Sequence, residues 1–224
     1  AMFEYADVFN QPIGRWRTDG VTTMEAMFLG ASAFNQPIGT WDTGTVEFME
    51  GMFEDATSFN QPIHDWDTSR VTTMDNMFAG ATAFNQPIGT WDTTNVTAMA
   101  NMFAFAIRFD QPIGTWNTRY VEDFDNIFFG ATAFNQPIGT WDTRNAITMR
   151  SMFSSATAFN QPIGTWDTSK VTDMSYTFDG ATAFNQDLSN WCVTLISPEP
   201  TGFDDGALAW EKVDRQPAWG GACP

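Results

Sequence analysis

The chain has 224 residues, 43% of them hydrophobic and 15% aromatic, so it carries enough apolar material for an ordered core. Its formal net charge is −17 with ten Lys and Arg, which argues against nucleic acid and against an anionic membrane surface as partners. No apolar run approaches the ~20 residues of a membrane span.

Self-similarity at a fixed period organises everything else. The segment Phe-Asn-Gln-Pro-Ile-Gly-Thr-Trp begins at Phe9 and recurs at Phe34, Phe59, Phe84, Phe109, Phe134, Phe159 and Phe184, always 25 residues apart and without insertions. The Phe rows from Phe3 and Phe9, the Ala row from Ala6, the Gln row from Gln11 and the Trp row from Trp16 are filled identically in all eight copies. The Met rows from Met24 and Met27 stay apolar except at Thr177. Such rows predict a solenoid in which each side chain packs on its own copies above and below. Eight exposed indoles would make an apolar stripe that a monomer does not tolerate, so the Trp row is read as core rather than as a ligand platform.

Within a copy, Val71, Met74, Met77, Phe78 and Ala81 have the spacing of an amphipathic helix. Thr22 with Glu25 and Thr72 with Asp75 look like its capping boxes, and Gly30, Gly80, Gly130 and Gly180 stand where it would stop. The Phe-Asn-Gln-Pro-Ile half predicts a short strand, kept to a few residues by the recurring Pro, with Asn and Gln forming amide ladders between coils. The expected fold is therefore an α/β repeat solenoid over 1–190, each coil pairing a short helix with a short strand of a parallel sheet along the array. A cap over 191–224 closes it, with Phe203, Leu208, Trp210 and Trp219 covering the apolar end. No comparable cap precedes the first coil, which predicts missing upstream sequence or end-to-end self-association.

Cys192 and Cys223 both lie in the non-repetitive segment and are read as a disulfide, which points to an oxidising compartment. The rest of the chain offers little chemistry. His64 is the one histidine, so no catalytic triad can be built, and no phosphate loop or metal motif appears. The expectation is a protein that is not an enzyme and needs no cofactor. The row Asp42, Asp67, Asp92, Asp142 and Asp167 is a weak calcium candidate. Its replacement by Asn117 and Arg17 favours a role in holding turns instead. Arg70, Arg119 with Tyr120, Arg144 and Lys170 fall on one ridge and are the candidate partner-binding residues. Thr57, Thr82, Thr132, Thr157 and Thr182 form a hydroxyl row of the ice-binding kind, broken by Asp7 and Ile107.

The stretch Trp166-Asp167-Thr168-Ser169-Lys170-Val171-Thr172-Asp173-Met174 resembles the repeat WDTSxVTxMxxMFxxAxxFNQPL of the BspA-like leucine-rich-repeat surface proteins, and the likeness runs through essentially the whole chain. The resemblance implies a leucine-rich-repeat-like horseshoe, secreted or at the cell surface, used in adhesion to or recognition of an extracellular protein or glycan. A structural spacer, or a subunit of a filament or surface layer, is the alternative; ice binding and a calcium-dependent solenoid rank below it.

Overall fold

The computed structural model describes residues 2–211 and 214–223; Ala1, Lys212, Val213 and Pro224, the last residue of the expected cap, lie outside them. Its hydrogen bonds recur with the 25-residue period, but the predicted composition of the coils is overturned. Among the described residues there is no helix, and pairing of strand type is reduced to six isolated parallel bridges from Thr23↔Phe48 to Thr148↔Asp173. The coils are neither α/β units nor members of a parallel sheet.

Backbone handedness is the reason the helix fails. From the second copy on, each carries two left-handed residues four apart: Asn76 (φ 56°) with Gly80 (φ 68°), Asn101 (58°) with Phe105 (56°), Asn126 (56°) with Gly130 (66°). An α-helix needs negative φ throughout, so these positions break it once per turn. The segment becomes a run of tight turns, with Met77, Ala79 and Ala81 donating to the carbonyls of Met74, Asn76 and Phe78. Every second N–H then points along the stack. Met74, Asn76, Phe78 and Gly80 donate to Ala98, Ala100, Met102 and Ala104 of the next coil at 2.7–2.9 Å. In a helix those donors would turn back to the fourth residue behind. The expected capping hydroxyl of Thr72 instead donates to the Glu47 carbonyl of the preceding coil.

The strand half is replaced for a different reason. The Asn85 N–H goes not to a backbone carbonyl but to the Asn60 side-chain Oδ1 (2.9 Å), which also accepts from Gln86 Nε2 (3.0 Å). The same pattern repeats from Asn35 to Asn185, and Pro supplies no N–H at all. The amide ladder is thus present without the strand beneath it. Asp110, the one departure from the Asn row, accepts from Asn135 N and Gln136 Nε2 with its Oδ1 as an asparagine would.

Side-chain rows fill the interior. From Phe28 onward both Phe rows are buried, with 3.9–4.0 Å between ring centroids within a coil, as for Phe78 and Phe84, and 5.6–6.1 Å between coils. The indoles from Trp41 to Trp191 are 1–4% exposed, and each Nε1 donates to an Ile carbonyl of the preceding coil, as Trp91 does to Ile63 at 3.1 Å. Thr18 and its equivalents through Thr168 are buried polar groups satisfied the other way, donating to the next coil's carbonyl. Thr177, the polar member of a Met row, bonds the Met149 and Met174 carbonyls. A second row, Gly14, Gly39, Gly89, Gly114 and Gly139, answers to close approach rather than to positive φ: a methyl on Gly89 would overlap the Pro112 carbonyl.

The C-terminal segment continues the winding as an aberrant coil with one extra residue. Tyr176, Phe178 and Gly180 donate to Thr201, Phe203 and Asp205, 25 residues on rather than 24. Phe203 and Trp210 meet Phe178 and Phe184 edge-on, at 87° and 80°, which ends the parallel ring stack. Trp219 packs edge-on against Phe203, whereas Leu208 is 83% exposed and covers nothing. Arg215 Nη1 reaches Asn185 O and Oδ1, taking the place of the next Gln. Cys192 and Cys223 form the disulfide, and among the described residues no helix is long and apolar enough to cross a membrane.

Two stability tests follow from these bonds. Asn126→Val, placing a branched side chain at φ 56°, is expected to cost about 1–3 kcal/mol in urea unfolding, whereas Asn126→Gly leaves the midpoint nearly unchanged. Gln86→Glu, which sets a carboxylate against Asn60 Oδ1, is expected to cost about 1–3 kcal/mol. Asn85→Asp, on the precedent of Asp110, should be tolerated; equal losses in the two variants would show that the ladder does not depend on which group donates.

Candidate functional site

The predicted basic ridge lies on the turn between the buried Trp and Val rows. Its residues are all exposed but not all free. Arg144 Nε is held by Asp142 (2.7 Å), Lys170 Nζ donates to Asn145 Oδ1 (2.7 Å), and Asn145 Nδ2 donates to the Arg119 carbonyl (2.8 Å). The Arg119 guanidinium sits 5.8 Å from the Tyr120 ring centroid. These contacts tie Arg119, Tyr120, Arg144 and Lys170 into a strip over three successive coils. Arg70 stands apart, with the Asn95 coil between, and Asn95 Nδ2 donates to the Ser69 carbonyl. An open depression beside the strip is lined by Thr140, Asp142, Arg144, Thr165 and Asp167.

The Asp row is engaged in its own turns. Asp67 Oδ1 accepts from Ser69 N at 3.0 Å, Asp92 from Thr94 N at 2.9 Å, Asp167 from Ser169 N at 3.0 Å, and Asn117 substitutes by accepting from Arg119 N at 3.1 Å. Hydrogen bonds from Ser69 and Ser169 hold the Asp67 and Asp167 carboxyls below the usual range. Among the described residues no three His, Cys, Asp or Glu converge on a point that could hold a metal ion. The hydroxyl row is likewise occupied, since Thr82, Thr132, Thr157 and Thr182 donate to the preceding coil's carbonyls at 3.3 Å. His64 lies on the surface beside Asp65 (3.4 Å).

Two features escaped the sequence reading. Asp75 and Asp125 are half-buried carboxylates that bridge coils, accepting from Ala100 N (2.7 Å) and Arg150 N (2.8 Å). Asp75 serves a coil in which Ala98 stands where Thr73, Asp123 and Asp173 of other copies cap the corresponding N–H with their side chains. The second feature is the outer left-handed row, Tyr5, Gly30, Asp55, Gly80, Phe105, Gly130, Ser155 and Gly180, in which glycine strictly alternates with a side chain. That alternation was visible in the sequence, but reading Gly30, Gly80, Gly130 and Gly180 as helix stops concealed it.

Stacked near-identical coils sealed by an aberrant one define a tandem-repeat protein with a disulfide-bonded cysteine pair. The chain belongs to the family described as Mycoplasma protein of unknown function, DUF285, whose model matches residues 1–71, 61–153 and 108–205 in overlapping stretches. No curated protein matches it.

The bridging carboxylates generate a pH test. Burial raises both carboxyls above the ordinary 3.8, with hydrogen bonds partly opposing it. A folded-state value above the unfolded one means the charged form weakens the fold at neutral pH. The penalty is relieved as pH falls through the folded value. Asp75→Asn/Asp125→Asn is therefore expected to melt higher than the parent at pH 7, and the gap should close towards pH 4 in calorimetry. A gap of constant size across that range would assign the effect to packing.

Proposed function

We propose that this chain is a recognition module of the BspA-like surface-protein kind, exported and displayed outside the cell, where it binds an extracellular protein or glycan rather than performing catalysis. One observation carries the reading. The rows constant across the copies supply the scaffold: Phe, Trp and Ala are buried from the second copy on, and Gln spends its amide on the neighbouring coil. Individuality is left to exposed corner positions such as Arg70, Arg119, Tyr120, Arg144 and Lys170. A surface that varies on a rigid frame suits partner selection.

Two further features support the assignment. The Cys192–Cys223 bond suits an oxidising compartment. The net charge of −17 keeps such an array solvated and favours basic partners over acidic ones. The basic strip supplies the local exception, an acid-binding patch on an acidic body, and Arg70 would engage a partner long enough to cross the intervening coil.

The test is an array of glycans and extracellular proteins probed with the parent chain and with Arg70→Ser/Arg119→Ser/Arg144→Ser/Lys170→Ser. A partner captured by the parent should be lost at least tenfold by the variant, with the melting temperature of the variant close to that of the parent. Undiminished capture would remove the strip from recognition, and no capture by the folded parent would leave the chain a spacer.

A further inference from the structure

The outer left-handed row imposes a period of two coils on an array whose scaffold repeats every one. At Tyr5, Asp55 and Phe105 the side chain lies flat over the glycine of the next coil, so that a methyl on Gly30, Gly80 or Gly130 would overlap it. A neighbouring row follows the same rhythm, with Val8, Ser58 and Arg108 alternating with Ala33, Ala83 and Ala133. This edge is therefore a series of larger side chains, each resting on the glycine of the next coil, with small Ala residues beside them. The spacing is twice the coil rise, about 10 Å.

The floor between Asp55 and Phe105 is a trough with unlike walls. Glu54 and Asp55 form one side, Gly80 and Ala104 contribute to the floor, and Phe105 forms the other side. Phe105 is 52% exposed and braced edge-on by Phe129, with centroids 4.7 Å apart. Among the described residues neither Glu54 nor Asp55 has an ion-pair partner or a side-chain hydrogen bond. Burial, reinforced by the charges of Asp55 and Glu50, pushes the Glu54 carboxyl up. Uncompensated carboxylates facing an exposed ring match a cation with an apolar stem: the charge meets the carboxylates and the ring face, and the methylenes lie on Gly and Ala.

We propose that this trough is a docking site for an arginine or lysine side chain of an extended basic segment of a partner protein, lying along the left-handed edge. The inference rests on the recognition reading, but uses a different edge from the Arg119–Lys170 strip. A segment in the extended polyproline-II conformation rises about 3.1 Å per residue with three residues per turn, so every third side chain returns to one face at close to the two-coil spacing.

The experiment titrates the folded chain with a fluorescent peptide carrying arginine at every third position between glycines, and with a glutamate counterpart. Binding of the arginine peptide is expected to fall at least fivefold in Phe105→Gly and in Glu54→Gln/Asp55→Asn. It should change less than twofold in Glu47→Gln/Glu122→Gln, which removes the same charge from exposed positions elsewhere. Phe105→Gly supplies the residue that alternate copies carry at this left-handed position, so loss of binding there is not loss of fold. Equal weakening by all three variants would reduce the effect to diffuse charge attraction and overturn the site. So would retention of binding by Phe105→Gly, or stronger binding of the glutamate peptide. Array capture that survives the trough variants but not the strip variant would sink this site and leave the recognition reading standing.

Discussion

Everything in this molecule depends on where four backbone N–H groups per coil point. Met74, Asn76, Phe78 and Gly80 send theirs forward to the next coil, and the left-handed turns at Asn76 and Gly80 make that direction available. A helix would satisfy the same donors internally and leave coils joined by side chains alone. By exporting them, the chain gives up local secondary structure and gains a continuous ladder, with each coil's stability tied to its neighbours. The other half of the coil runs the opposite way: Asn N–H, Gln Nε2 and Trp Nε1 all donate backwards. The two sets of bond dipoles oppose one another along the stack, so the ladder grows coil by coil without accumulating one large axial dipole.

The period, the interior rows and the disulfide were legible in the sequence because each leaves a repeated chemical mark. Indoles at Trp41, Trp66 and Trp91 cannot all be exposed, and an Asn–Gln pair beside a Pro speaks of side-chain rather than backbone ladders. Helix and strand were misread because apolar spacing reports which side chains face inward and not the hand of the backbone between them. Met74, Met77, Phe78 and Ala81 face the core in either conformation. The discriminating signal was Asn at 76, 101 and 126, a residue type that tolerates the left-handed region, standing four before Gly80, Phe105 and Gly130. Phe105 hides that signal in its own copy, because a bulky residue at positive φ is what propensity advises against. Its neighbours on the stack hold it there.

The surface was less legible because exposure does not follow from row identity. The Asp row looked like a line of free carboxylates, yet its members cap their own turns through Oδ1. The hydroxyl row looked like an open face, yet its hydroxyls donate to carbonyls one coil back. The residues of the basic ridge are exposed, but Asp142 occupies Arg144, and the Asn95 coil separates Arg70 from the rest. What distinguishes the left-handed edge is that, among the described residues, the Glu54 and Asp55 carboxylates have no side-chain partner.

Termination completes the same logic, since a ladder that recruits coils must also stop recruiting them. The aberrant coil accepts the last forward N–H groups of Tyr176, Phe178 and Gly180, so its one-residue insertion does not cost the ladder its final rung. It then withdraws what a following coil would use. Phe203 and Trp210 stand perpendicular to the ring stack, where another parallel Phe would have lain. Arg215 occupies both acceptors of Asn185, and the Glu211 N–H takes the same Oδ1 from the position of the next Asn. The cap therefore imitates the repeat on the face turned towards it and departs from it in the groups that would carry the stack further.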